Sequence, residues 1–372
     1  MTICTIITKN RLAHARVLCR SFLQQHPDGH CYALVVDPDP ACFDPRLEPF
    51  TMISLDDMSL PQPHDRFCFQ YTALELAAAL KPTLVRHLFE KRGERLVLYL
   101  DADILVTAPL TPLATRVQNG GGVLVTPHLD RDYPDDGKMP NDAWILLHGV
   151  FNLGFFGVRN CDAGNALLRW FENKTRDKCI CAPTRGYFVD QRFFDLAVTL
   201  HPDIEIERSV GCNVGYWNLH SRKLSCTAHG QWLCNGEPLV FFHFSNYQPE
   251  QPDRISGYQN RYLLKDRPDL QPMFYGYRDQ LLANGYAETW KWPYKLNYFA
   301  SGQPITARVR RIYRANPTKF PYPFHSRTLA WRSRCIGLAA KMVDGLGLLL
   351  AACRIQQRAG KLLQRLATAG KA

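Results

Sequence analysis

Apolar positions in this chain gather into short runs separated by longer stretches of mixed polarity. Ile3 to Thr8 is a β-branched run that predicts a strand, and the mixed pattern from about Ala13 to Gln25 predicts a helix. Cys31 to Val36 predicts a second strand, ending at Asp37-Pro38. Strand, helix and strand at this pace point to a parallel pair, because a parallel connection needs a crossover. Residues 38 to 65 are rich in Pro and Asp and read as irregular, with a short strand at Thr51 to Ser54. Tyr71 to Lys91 has helical composition, with Pro82 expected to restart the helix, since proline suits a first turn.

The same alternation continues. Leu96 to Leu100 is a wholly apolar strand, and three glycines, Gly120 to Gly122, turn the chain into a further strand at Val123 to Thr126. Residues 128 to 143 are acidic and rich in Pro and Gly, a long loop of the kind that carries function. A strand over residues 150 to 160, a helix from about Ala163 to Lys174, a helix starting around Asp190 and a late strand at Pro238 to Ser245 complete the pattern. Strands alternating with helices predict an open α/β fold with a mostly parallel sheet. Ligands of such sheets bind beyond the carboxyl ends of the strands.

Two of those strand ends carry unusual chemistry. The run "RLVLYLDADILV" drives five apolar residues into Asp101-Ala102-Asp103, and "FFHFS" ends a strand on His243. Two carboxylates at i and i+2 of an extended segment point the same way and repel each other. A shared hard divalent cation relieves that repulsion, and Mg2+ or Mn2+ accepts such oxygen ligands, often with a substrate phosphate. A His as third protein ligand favours Mn2+. The alternative for an isolated D-x-D is a strand cap that begins a turn.

The segment "LYLDADILV" closely resembles the D-x-D segment of nucleotide-sugar glycosyltransferases with the GT-A fold. The most similar group is the retaining family 8 type, which includes glycogenin and bacterial lipopolysaccharide galactosyltransferases. The resemblance spans roughly residues 3 to 250. It implies a Rossmann-like GT-A domain, a UDP-hexose donor and a divalent metal held by Asp101, Asp103 and His243. It further implies donor contacts at Thr8, Asn10, Lys81, Asp101, Ala102, Asn152 and Gly154, and a catalytic pair, Asp190-Gln191, beneath the sugar ring. In this chain the family's Gly and Lys after the metal-binding His are replaced by Ser245 to Pro249, so Arg254 or Arg261 is the expected substitute on the diphosphate. His128 stands where the family has a sugar-contacting Asp, with Asp130 and Asp132 nearby, and Leu12 replaces an aromatic residue. The plainer alternative for Asp190 is a helix N-cap. The run "GCNVGYWNLHSR" offers Asn213 and Trp217 as an acceptor site, an amide and an aromatic platform for a sugar. The plainer alternative for Trp217 is a core residue.

Charge and cysteine content refine this picture. The net charge is +11, yet residues 304 to 372 hold fourteen Lys or Arg against Asp344 alone, leaving the remainder close to neutral. Arg354, Arg358, Lys361 and Arg365 recur at helical spacing with Leu362, Leu363 and Leu366 off that face, the pattern of a basic amphipathic helix on an anionic membrane. Ile336 to Cys353 contains Lys341, Asp344 and glycines and makes a poor transmembrane span. No nucleic-acid reader motif accompanies the basic residues. The N-terminus lacks a signal-peptide pattern, and thirteen scattered cysteines read as free thiols in a reducing cytosol. The expected organisation is a catalytic domain at 1 to 250, an extension at 251 to 303 packing on it and a basic tail at 304 to 372. The expected protein is a cytoplasmic enzyme peripheral to the inner face of the cell membrane, acting on a glycan or lipid-linked acceptor. A non-catalytic sugar-nucleotide or glycan-binding protein is the alternative. A nucleotidyltransferase would need a Gly- and Arg-rich phosphate loop that Ile6 to Ala13 lacks.

Overall fold

The computed structural model describes residues 1 to 336. They belong to two units, Met1–Leu296 and a second beginning at Asn297. The first is an α/β unit built on seven strands: β1 (Thr2–Ile7), β2 (His30–Val35), β3 (Thr51–Ser54), β4 (Leu96–Leu100), β6 (Val123–Pro127), β7 (Phe151–Arg159) and β8 (Ile204–Ile206), with β5 (Ile104–Val106) lying outside that sheet. Their order is β8-β6-β7-β4-β1-β2-β3. Pairings are parallel except at β7, which runs antiparallel to both β4 and β6. All six residues of β1 are buried, as expected of a strand covered on both faces. The α/β class and the mostly parallel sheet are those the apolar pattern predicts.

Two irregularities position the chemistry. The register between β6 and β7 jumps from Val125↔Phe156 to Thr126↔Asn152, so Leu153 to Phe155 are left out of that pairing. The late strand is shorter than expected. Its terminal piece, β9 (Phe241–His243), pairs antiparallel with β5 and not with the main sheet. The expectation that His243 ends a strand of the central sheet is thereby corrected.

The helix α1 (Leu12–Gln25) follows β1, and α2 (Ala73–Arg92) precedes β4. A capping box between Thr72 and Glu75 starts α2, and Gly93, at φ +70°, ends it. Pro82 lies inside α2 and does not restart it, contrary to the sequence expectation. Leu76 and the whole run from Ala78 to Val85 are buried, so tertiary packing outweighs the lost backbone bond. The helix α3 (Asp162–Lys178) covers the same face, and α4 (Gln191–Leu200) leads into β8. Residues beyond 250 in the first unit also fold onto it: the helix Gln271–Ala283 packs against α1.

The second unit is described over residues 297 to 336. Its helix Ala307–Ala315 is capped by Thr306 and buries Val309, Arg310 and Tyr313. The amphipathic pattern at Arg354 to Arg365 lies outside the described residues. No helix among the described residues is long and apolar enough to cross a membrane. The described cysteines are all free thiols.

Candidate functional site

Asp101 and Asp103 stand at the carboxyl end of β4. They do not occupy one extended strand, as the sequence reading assumed. Ile104 N donates to Asp101 O at 3.1 Å, closing a turn between β4 and β5. Asp101 N donates to Gly154 O at 2.8 Å on one side, and Phe244 N to Asp103 O at 2.8 Å on the other. These bonds clamp the turn between β7 and the His243 strand. The ligand atoms of Asp101, Asp103 and His243 all lie within 4.8 Å of one another. His243 Nε2 is 3.0 Å from Asp103 Oδ1 and 3.9 Å from Asp101 Oδ2. Burial works against the charge of His243, but Asp103 and Asp101 outweigh it and raise its pKa. Burial likewise opposes the Asp103 carboxylate, yet His243 and then Arg11 hold it below the usual range. Two carboxylates and an imidazole at this spacing form a donor set that fits Mn2+ or Mg2+.

Gly154 makes this approach possible. A Cβ built there would lie 2.3 Å from the His243 ring. The "FNLG" run therefore has a physical role that the sequence alone leaves open, namely close backbone approach to a ligand side chain.

Behind Asp101 lies a buried charge network. Lys81 Nζ, from the middle of α2, is 2.8 Å from Asp190 Oδ2 and 3.6 Å from Asp101 Oδ1, and it donates to Leu153 O at 2.8 Å. Leu153 is free to accept because it is left out of the β6–β7 pairing. The Lys81 ammonium also sits 4.8 Å from the centre of the Tyr99 ring, whose hydroxyl donates to Asp101 Oδ1 at 2.8 Å. Burial depresses the Lys81 pKa, but Asp101 and Asp190 reverse this and raise it. Asp190 is pushed up by its own burial, which Lys81 only partly offsets. Asp190 precedes α4 but makes no side-chain cap bond, so the N-cap role is not observed. The preceding Val189 adopts φ +41°, an outlier for a β-branched residue, and such strain clusters at functional sites.

Asn152 and Gln191 lie side by side. Asn152 Nδ2 donates to Gln191 Oε1 at 3.3 Å, and its Oδ1 accepts from Gly154 N at 3.1 Å and from Asn213 Nδ2 at 3.0 Å. Gln191 Nε2 donates to His148 O at 3.1 Å. His128 Nε2 is 3.2 Å from Asn152 Nδ2, and burial pulls the His128 pKa down to about 3, so the ring is neutral. Beyond β1, the Thr8 hydroxyl bonds to the Asn10 side chain, and both residues are part-exposed. Ala102 lies part-exposed between the two aspartates.

Two expected contacts are corrected. Asn213 and Trp217 are buried, at 0% and 1% exposure. A stacking platform requires an open ring face, and the Trp217 ring is closed in by His128 and His243 at 5.3 and 5.1 Å. Both residues support the site from beneath: Asn213 also donates to Thr126 Oγ1 at 2.7 Å. Arg261 is likewise committed elsewhere. It is buried, donates to Asp136 Oδ2 at 2.7 Å and Pro140 O at 3.0 Å, and thereby staples the acidic loop. Arg254 is exposed and bonds Gln251 and Gly257 O. Asp130 holds Ser221 and Arg222, and Asp132 is exposed.

Sequence reasoning missed Tyr99 and Arg11. Tyr99 is two residues before Asp101, on the same side of β4, a spacing legible in the alternation of a strand. Arg11 stacks on Trp290 at 4.5 Å and lies 3.2 Å from His14 Nε2; only the long-range approach of Trp290 shows its placement.

No family model matches the chain. Two proteins of Bacillus subtilis (strain 168) are similar in sequence. The Uncharacterized protein YfnF is 27% identical over 250 residues, 66% of this chain and 81% of that protein. The Uncharacterized protein YfnD is 24% identical over 253 residues, 65% and 76% respectively. Among solved structures, the chain is similar to the galactosyltransferase LgtC in complex with donor and acceptor sugar analogs, at 16% identity, 75% and 95% coverage and a TM-score of 0.42. It is similar to the glycosyltransferase GlyE of Streptococcus pneumoniae TIGR4, at 14% identity, 80% and 66% coverage and a TM-score of 0.41. The apo structure of the bifunctional glycosyltransferase WbbM matches at 13% identity, 77% and 50% coverage and a TM-score of 0.41.

Proposed function

We propose that this protein is a metal-dependent GT-A glycosyltransferase of the retaining family 8 type. It would transfer a hexose from a UDP-linked donor to a glycan or lipid-linked acceptor in bacterial surface polysaccharide synthesis. The observation that carries this reading is the convergence of Asp101, Asp103 and His243 within 4.8 Å at the carboxyl edge of the sheet. These residues would hold Mn2+ or Mg2+, which when bound supplies positive charge to the departing diphosphate.

The chain's own residues do the rest. Lys81 places a second buried positive charge beside Asp101, where developing phosphate charge needs stabilisation. Asp190 orients Lys81 through the 2.8 Å ion pair. Asn152 and Gln191 present side-chain amides to the sugar, held in place by Asn213, His128 and Gly154. The donor-side loop is Thr8 to Arg11. We assign Gln191 and Asp190 to the anomeric face opposite the leaving group, which makes retention the expected stereochemistry.

We also place the enzyme in the cytosol, held peripherally at the inner face of the cell membrane. The free thiols and the basic second unit support this: residues 297 to 336 carry eight Lys or Arg and no Asp or Glu. The alternative is a non-catalytic sugar-nucleotide or glycan-binding protein, favoured by the absence of a Lys in the run Ser245 to Pro249 that follows His243. A panel of nucleotide sugars assayed for Mn2+-dependent hydrolysis and thermal stabilisation tests both. Hydrolysis of one donor establishes the enzyme; stabilisation without hydrolysis establishes the binding protein; neither response overturns the reading.

A further inference from the structure

A second group of aromatic rings, part-exposed, lies beside the buried Trp217. Trp144 and His148, on the short helix Asp142–His148, stack with ring centres 4.2 Å apart. His148 meets Phe188 edge-on at 4.5 Å. Trp144 also contacts Tyr216 at 5.9 Å, and Tyr216 contacts Tyr258 at 6.1 Å. Tyr216 is buried, Trp144 and His148 are part-exposed, and Tyr258 is 51% exposed. Trp144 and Tyr258 thus both pack against the buried Tyr216.

This aromatic cluster adjoins the proposed donor site. Trp144 lies 6.2 Å from His128, the neighbour of Asn152, and Gln191 bonds to the carbonyl of His148. On the other side, Tyr258 connects to the site through Tyr216, which lies 5.1 Å from Trp217, itself 5.1 Å from His243. Hydrogen bonds tie the segments that carry these rings to one another and to the body of the unit. Arg261 ties the loop through Asp136 and Pro140, Met139 N donates to Asn260 Oδ1 at 2.7 Å, and Tyr133 donates to Trp217 O at 2.5 Å. The segments 128 to 148 and 256 to 262 are therefore bonded to each other.

We propose that Trp144, His148 and Tyr258 form the acceptor subsite, and that its ligand is a pyranoside bound by stacking of its apolar C–H face. This deepens the sugar-transfer reading and rests on it. Part-exposed aromatic rings beside the Gln191 amide suit a ring with one apolar face and a polar rim.

The test is saturation-transfer NMR on the full-length protein with methyl glucosides, galactosides and mannosides of both anomers, run with and without UDP and Mn2+. At least one methyl pyranoside should receive saturation at its ring protons. Trp144→Ala and Tyr258→Ala should each lower that signal at least about tenfold, Trp144→Phe should retain it, and the UDP signals should persist in all three. No saturated pyranoside in the wild type, or a signal that survives the double Ala variant, overturns the subsite. Absence of UDP signals in the wild type would refute the donor reading instead, and the arms without UDP still decide the subsite.

Discussion

Lys81 and Asp190 meet at 2.8 Å although one comes from the interior of α2 and the other from the residue before α4. Both are buried, at 5% and 1% exposure. Breaking one partner of a buried ion pair leaves an uncompensated charge, at a cost of about 3–5 kcal/mol. Lys81→Met is therefore expected to lower stability by that order in denaturant unfolding, and Lys81→Met/Asp190→Leu should recover much of the loss. Equal stability of Lys81→Met and wild type would remove the pair from the account.

Asp103→Asn keeps the size of the side chain and removes its charge. The variant should fold normally while its affinity for Mn2+ falls by at least about tenfold, equivalent to about 1.4 kcal/mol. Titration calorimetry with Mn2+ reads this directly. Unchanged affinity would exclude Asp103 as a ligand.

Gly154→Ala tests the same centre from its second neighbours. The added Cβ would meet His243 at 2.3 Å and Asn152 Oδ1 at 2.7 Å. We expect His243 to be displaced, with weakened Mn2+ stabilisation and a melting temperature lowered by several degrees through overpacking of about 1–3 kcal/mol. A variant with wild-type Mn2+ response would show that the approach of Gly154 to His243 has no functional weight.

Acid should destabilise the first unit through two neutral, buried histidines. Burial lowers His14 and His128 each to about 3. Above pH ~6.5 both are neutral folded and unfolded, and they contribute no pH dependence. Below it the unfolded chain takes up protons that the folded chain refuses, so stability falls as pH drops from ~6.5 toward ~3, by up to about 1.4 kcal/mol per pH unit for each group. Replacing His128 with Gln should flatten this slope. A slope unchanged by the substitution would assign the acid lability to other groups.

The second unit should seek anionic lipid. Each basic residue near such a surface contributes about 1 kcal/mol, and Trp331 and Tyr322 are 65% and 70% exposed. Full-length protein is expected to co-sediment with phosphatidylglycerol vesicles at low salt and to release at high salt. Arg327→Gln/Arg332→Gln/Arg334→Gln should bind more weakly, with solution hydrolysis of the donor unchanged. Equal recovery with neutral phosphatidylcholine vesicles would refute electrostatic docking.

The local pattern of the chain determined the strands at Thr2–Ile7, Leu96–Leu100 and Phe151–Arg159 and the helix Leu12–Gln25, but not the helices Thr111–Asn119 and Asp142–His148. Apolar periodicity is a property of neighbours along the chain, and the capping signals of Thr72 and Glu75 act within one turn. It also marked Asp101, Asp103 and His243 as chemically exceptional, because charged or imidazole groups closing apolar strands are costly without a purpose. Their meeting was decided by tertiary structure, since β9 pairs with β5 and so brings His243 beside a turn more than a hundred residues earlier. The same holds for Lys81 and Asp190, for the helix that continues through Pro82, and for the burial of Trp217. An aromatic residue carries the same local signature whether it packs inside or faces a sugar. Which role Trp217 and Trp144 each take depends on what the rest of the chain places over their rings, and that is set by packing between distant segments.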